Sequence, residues 1–282
     1  MSVPAHPCTR IDSYLLCATP RTGSTLLCGL LASAGVAGRP ESYFRRQGQQ
    51  DYAVQWGISR SPDGGFRYAD YVRAALAAGR TDNGVFAARM MWETLEEVVG
   101  ELGMMNPDLS GDGIGLLARA FGRVRFVYLR RDDVVAQAVS LLRAEQTGVW
   151  HDPVQTTRAE PGHGAQFDFD QVHQRVQMIG QHNSAWQEWF SAAGIEPFAV
   201  LYEELAADPA GITRRILDFL GLDLPPGREL LVQHRRLADE LSAQWTARYE
   251  AELPGSLPAA RSRSSALTPT TNGSAESSTG QT

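Results

Sequence analysis

Polarity along the chain changes period several times, and each change marks an element. Ser13–Ala18 (SYLLCA) is an uninterrupted apolar run closed by Pro20 and Gly23, the pattern of a buried strand ending in a turn. Ser24 then opens a helix as its N-cap, with Leu26, Leu27, Leu30 and Leu31 on one face and Gly35 as the stop. Helical spacing returns over Tyr68–Ala78. The Asn83-Gly84 turn precedes a strand over Val85–Met91, and Glu93–Leu102 reads as a helix. Val124–Leu129 (VRFVYL) is a third strand. Asp132 or Asp133 caps a following helix whose Val134, Val135, Ala138, Leu141 and Leu142 face the core. Phe169–Ala192 forms a long helix, started by a cap at Asp168 and Asp170. Phe198–Tyr202 is a fourth strand, Ala210–Leu220 a helix, and Ala238–Glu252 closes the ordered part.

Strands alternating with helices predict an α/β fold: a P-loop-like parallel sheet flanked by helices on both faces. No internal repeat is present. Ligands of such sheets bind beyond the carboxyl ends of the strands, which directs attention to Thr19–Thr25, Arg89–Trp92 and Arg130–Asp133. The expected organisation is a flexible N-terminus over residues 1–12 and one domain over 13–253. A disordered tail over 254–282 follows, rich in Ser, Thr, Gly, Ala and Pro and without an aromatic ring.

Composition narrows the function. The 282 residues are 43% hydrophobic and 21% charged, a globular balance. A net charge of −6 argues against a nucleic-acid partner, yet leaves room for a local basic pocket. Cys8, Cys17 and Cys28 form neither a disulfide framework nor a metal signature, which suits a reducing cytoplasm. The first twelve residues lack the apolar region of a signal peptide. The longest apolar stretch, Leu26–Ala37, falls short of the ~20 residues a membrane helix needs.

The chemistry concentrates in the loop Ala18-Thr-Pro-Arg-Thr-Gly-Ser-Thr25. Gly23 lets backbone approach a ligand, and the helix N-terminus presents N–H groups and positive dipole to an anion. Ser24 and Thr25 add hydroxyls, and Arg21 adds a fixed cation. An ATP or GTP loop would read G-x-x-x-x-G-K-[ST]; here Ala18 replaces the first Gly and Ser24 the Lys. Where such proteins place an acid for Mg²⁺, this chain has Arg130 and Arg131. Arg131, with Ser140 on the next helix, makes a second anion site. A nucleotide charged at both ends suits the two. A P-loop kinase or NTPase and a non-catalytic nucleotide-binding relative are the competing readings.

These motifs resemble the sulfotransferase superfamily. Thr19–Thr25 is similar to its 5′-phosphosulfate loop, Arg131 with Ser140 to its 3′-phosphate motif, and Leu201–Pro209 with Ile216–Gly221 to its late strand–helix signature. The resemblance is stronger to the bacterial trehalose 2-sulfotransferase family, over roughly residues 13–250. It is carried by Gly35–Phe44, Asn83–Phe86 with Met91-Trp92, Asp133–Ser140, Arg143–Thr147 and Arg236–Tyr249. It implies the sulfotransferase fold and 3′-phosphoadenosine-5′-phosphosulfate (PAPS) as donor, leaving adenosine 3′,5′-bisphosphate. It also implies no metal, a small sugar or alcohol acceptor, and a homodimer. Arg21, Thr22, Gly23, Ser24, Thr25, Arg131 and Ser140 would hold the donor.

Two positions depart from the family pattern. Its general-base Glu is Ser42 here, with Glu41 one residue earlier, and its Lys in the second strand is Arg89. Arg21 is expected to stabilise the leaving phosphate, Arg89 to contact the sulfuryl group and Glu41 to take the acceptor proton, with His151 as the rival base. Tyr43, Phe44, Trp92 and Trp150 are candidates to line the acceptor site, although core packing is the commoner use of such rings; Trp245 and Tyr249 suit the core or a dimer contact.

Overall fold

The computed structural model describes residues 11–61, 64–150, 164–231 and 240–254. In chain order its elements are β1 (Ser13–Ala18), α1 (Ser24–Ser33), α2 (Arg46–Gln55), α3 (Tyr68–Gly79), β2 (Phe86–Met91), α4 (Trp92–Met105), a 3₁₀ turn (Pro107–Leu109), α5 (Gly113–Phe121), β3 (Val124–Arg130), α6 (Val134–Thr147), α7 (Phe169–Ala192), β4 (Phe198–Leu201), α8 (Tyr202–Ala207), α9 (Pro209–Leu220) and α10 (Glu240–Glu252). The strands form one parallel sheet in the order β2-β1-β3-β4. Its register pairs Ser13 with both Phe86 and Val124, so the tips of β1, β2 and β3 finish level. That alignment brings the three chemistry-bearing segments to one edge.

β1 is central and every residue of it is buried, which is why it carries no charge. Its alternate side chains enter different cores. Leu15 and Cys17, with Phe86, Ala88, Met90, Phe126 and Tyr128, pack beneath α4, α5 and α7 through Leu95, Val98, Phe121, Trp186 and Phe190. Tyr14, Leu16 and Ala18, with Ala87, Val127, Leu129 and Val200, pack beneath α1 and α9 through Leu27, Leu30, Leu31, Ile212 and Ile216. The expected two-faced α/β fold is therefore present. A third cluster joins α6, α7 and α10 around Leu141, Leu142, Ile179, Trp245 and Tyr249. Among the described residues no helix is long and apolar enough to cross a membrane.

Several expectations are corrected in detail. Gly23, not Ser24, stands at the cap of α1, with φ 79° and no side-chain cap. Asp133 is the residue that caps α6, its Oδ1 accepting from Ala136 N at 2.8 Å, while Asp132 pairs with Arg130 at 2.6 Å. Asp168 caps α7, accepting from Gln171 N at 2.9 Å. Tyr202 begins α8 rather than ending a strand. Helices α2, α5 and α8 were not expected from the pattern.

Gly79 shows how tightly the layers meet. A Cβ there would stand 2.5 Å from Phe86 Cε2 and 2.9 Å from Tyr43 Cε2. Helix propensity favours alanine by about 1 kcal/mol, whereas overpacking costs roughly 1–3 kcal/mol. Gly79→Ala is therefore expected to lower the urea midpoint; a raised midpoint would show that this contact yields freely.

Candidate functional site

The loop from Thr19 to Gly23 is fixed from three helices. Gln137 of α6 is fully buried and donates from Nε2 to Thr19 Oγ1 at 2.9 Å and to Pro20 O at 2.6 Å. Thr19 Oγ1 donates to Asn183 Oδ1 of α7 at 3.3 Å, and Trp186 Nε1 donates to Ala18 O at 3.2 Å. From α8, the Tyr202 ring covers Gly23 so closely that a Cβ there would stand 2.8 Å from its Cδ2. Arg21 has φ 67°, the one non-glycine residue in the left-handed region among those described. That conformation costs on the order of 1–3 kcal/mol and persists where the surroundings over-determine it. With Gly23 it gives the loop the kind of backbone that forms anion-binding concavities. The uncapped first turn of α1 adds its N–H groups to the same place.

Three arginines converge there. Arg21 Nε donates to Ser140 Oγ at 3.0 Å and Nη1 to Trp150 O at 2.5 Å. Arg131 is buried, its guanidinium 4.7 Å from the centre of the Tyr202 ring and its Nε 4.0 Å from Glu203 Oε1. The pKa of Arg21 is lowered, first by burial and then by the positive charge of Arg131, with Tyr202 opposing the shift. The two cations therefore lie within electrostatic reach. Arg89 on β2 supplies the third, donating from Nε to Ser42 Oγ at 2.8 Å and from Nη1 to Thr25 Oγ1 at 2.9 Å and Ser24 Oγ at 3.4 Å.

Other expected site residues fall elsewhere. Tyr43 is buried, its hydroxyl donating to Arg39 O at 2.7 Å and its ring packed against Tyr52, Trp56 and Phe86, so it builds core rather than a cleft wall. Phe44 is likewise core. Thr22 spends its hydroxyl inside the loop, on Thr19 O at 2.9 Å. Trp92 is half-buried, edge-on to Trp186 at 5.3 Å, whereas Trp150 is exposed beside Arg21. His151 lies outside the described residues.

Glu41 sits on the segment beside β2. It forms a parallel bridge with Ala88, and its carbonyl accepts from Arg89 N at 2.9 Å. Bridged partners share a face, and the next residue on each strand takes the other. Glu41 thus lies on the face of Ala88, exposed, while Ser42 shares the face of Arg89. Its charge still reaches the neighbourhood of Arg89: burial raises the pKa values of Cys28 and Tyr52, Glu41 adds to both shifts and Arg89 opposes them. The anchors Gln137, Asn183, Trp186 and Tyr202 were missed. At the tip of β2, Glu93 Oε1 also stands 3.9 Å from His182 Nε2, a pair the sequence did not single out.

A parallel α/β sheet whose tips gather three arginines over a glycine-turned loop offers a basic cradle of the kind that receives an anion. The chain belongs to the Stf0 sulphotransferase family, whose model matches residues 13–252, and it is a sulfotransferase. It is 32% identical over 271 residues to a trehalose 2-sulfotransferase of Mycobacterium tuberculosis, covering 86% of this chain and 96% of that protein. It is 31% identical over 271 residues to a trehalose 2-sulfotransferase of Mycolicibacterium smegmatis, covering 86% and 95%. A solved sulfotransferase domain from the Synechococcus PCC 7002 olefin synthase overlaps 91% of this chain and 92% of its own, with 15% identity and a TM-score of 0.42, too slight a likeness to add weight.

The face of Glu41 yields a direct expectation. Glu41→Gln should leave turnover within about threefold of wild type, against the ~10²-fold loss typical of a removed general base. A hundredfold fall in kcat would return this carboxylate to the chemistry.

Proposed function

We propose that the chain transfers a sulfuryl group from PAPS to a hydroxyl of trehalose or a closely related small carbohydrate. The observation that carries this reading is the pair of like charges, Arg21 and Arg131, held within electrostatic reach over an uncapped helix start. Such an arrangement is satisfied by a ligand with dense negative charge. PAPS supplies an activated sulfuryl group on a 5′-phosphate, with a second phosphate at the 3′ position.

The residues present fit that donor. Arg21, Ser24, Thr25 and the backbone of Thr22 and Gly23 would hold the 5′ end, and Arg131 with Ser140 the 3′-phosphate. The Arg21–Ser140 hydrogen bond ties the two ends of the site together. Arg89, bonded to Thr25, would meet charge on the transferred group. In the transfer the bond from sulfur to the leaving phosphate oxygen breaks, a bond to the acceptor oxygen forms, and the hydroxyl proton is released. Fixed cations aimed at developing charge are the main aid to such a step. The carbohydrate acceptor rests on the two relatives and on exposed Trp150, whose backbone carbonyl accepts from Arg21. A homodimer working in the cytoplasm belongs to the same reading, on family resemblance alone.

The cations are also of one kind. The chain contains no lysine, and all 26 basic residues are arginine. Arginine does not titrate in the ordinary range, so the charge of the cradle does not change with pH near neutrality. The sign follows. Affinity for adenosine 3′,5′-bisphosphate should be flat from about pH 7 to 9 and weaken as pH falls through about 6, where phosphate takes up its second proton.

Calorimetry without Mg²⁺ tests this reading: the bisphosphate should bind, Arg131→Ala should weaken it at least tenfold, and ³⁵S from labelled PAPS should pass to trehalose or to one product in a cell metabolite extract. Preference for Mg-ATP, or affinity that declines between pH 7 and 9, would contradict the reading.

A further inference from the structure

The guanidinium of Arg89 is held from both sides. Nη1 faces the hydroxyls of Thr25 and Ser24 at 2.9 and 3.4 Å, and Nε donates to Ser42 Oγ at 2.8 Å. The loop contacts come from α1, whereas the Ser42 contact comes from the segment that runs beside the outer edge of β2. That segment is itself pinned: Arg89 N donates to Glu41 O at 2.9 Å, Arg39 N to Gly79 O at 2.8 Å, and Asn83 Nδ2 to Val36 O at 2.7 Å. Gly38 fits against the sheet so closely that a Cβ there would stand 2.8 Å from Ala87 N. Ser42 is therefore presented by a rigid edge, not by a free loop.

We infer that Ser42 is a positioning residue, which aims Arg89 at the sulfuryl group without neutralising its charge. The inference rests on the reading of Arg89 given above. A long side chain with several rotors would otherwise spread over many orientations, and fixing it in advance lowers the ordering cost of binding. The chemistry of the brace matters as much as its place. A carboxylate at this position, where the family pattern has its Glu, would pair with the guanidinium and offset part of its charge. A hydroxyl accepts a hydrogen bond from Nε–H and leaves the guanidinium with its full positive charge. Ser42 thus acts on the part of the donor that adenosine 3′,5′-bisphosphate lacks.

That difference gives a test that needs no acceptor. Equilibrium affinities for PAPS and for adenosine 3′,5′-bisphosphate are measured by calorimetry for the wild type, Ser42→Ala, Ser42→Val and Ser42→Thr. Loss of the hydroxyl in the Ala and Val variants should weaken PAPS by about tenfold, the scale of one charge-assisted hydrogen bond, and leave the bisphosphate within twofold. Ser42→Thr should restore the wild-type ratio, and comparison with the nearly isosteric Val removes shape as the cause. A purely structural role would lower the melting temperature or weaken both nucleotides alike, and an unchanged ratio in Ala and Val would overturn the inference. If the wild type binds neither nucleotide, the reading of the whole site fails first and the inference falls with it.

Discussion

Two like charges kept together are the constraint on which this site depends. Arg21 and Arg131 would separate if the loop between β1 and α1 were free to move. They stay near one another because Gln137, Asn183 and Trp186 hold the start of the loop and Tyr202 lies across Gly23. Arg21 is further forced into a left-handed backbone and loses part of its hydration. The fold thus spends stability at this spot, and the return is a cradle already shaped for an anion. Preorganised charge of this kind needs no rearrangement when a negative group arrives.

The sheet explains why that constraint can be met. A central strand buried on both faces and level tips on β1, β2 and β3 give the loop, Arg89 and Arg131 one shared edge. The helices that cover the sheet also reach over it: α6 brings Gln137 and Ser140, α7 brings Asn183 and Trp186, and α8 brings Tyr202. Core packing and site geometry are therefore the same set of contacts seen from two sides.

Sequence reading went far where the signal is local. The apolar runs of β1 and β3, the cap and length of α7, and the glycine-turned loop are each written within a few neighbouring residues, and Arg21, Arg89 and Arg131 lie in or beside such segments. It stopped where the signal is not local. Helix α2 (RQGQQDYAVQ) buries only Ala53 and so has no apolar period, and α5 opens with two glycines that read as breakers. The loop anchors lie 118, 164 and 168 residues from their partners. The face taken by Glu41 is set by pairing with β2, 47 residues further on, and a shift of one residue reverses it. Tyr43 looked like a cleft aromatic for the same reason: its partners Tyr52, Trp56 and Phe86 are brought to it by tertiary packing.

If the cradle stores strain and repulsion, relieving both should stabilise the empty protein and disable it. Arg21→Gly removes the cation and suits φ 67°. Its melting temperature, measured with and without adenosine 3′,5′-bisphosphate, is the most direct test. The account predicts a ligand-free value at or above that of the wild type and no rise on adding the nucleotide, while the wild type rises. A variant that melts well below the wild type, yet still gains stability from the nucleotide, would contradict it.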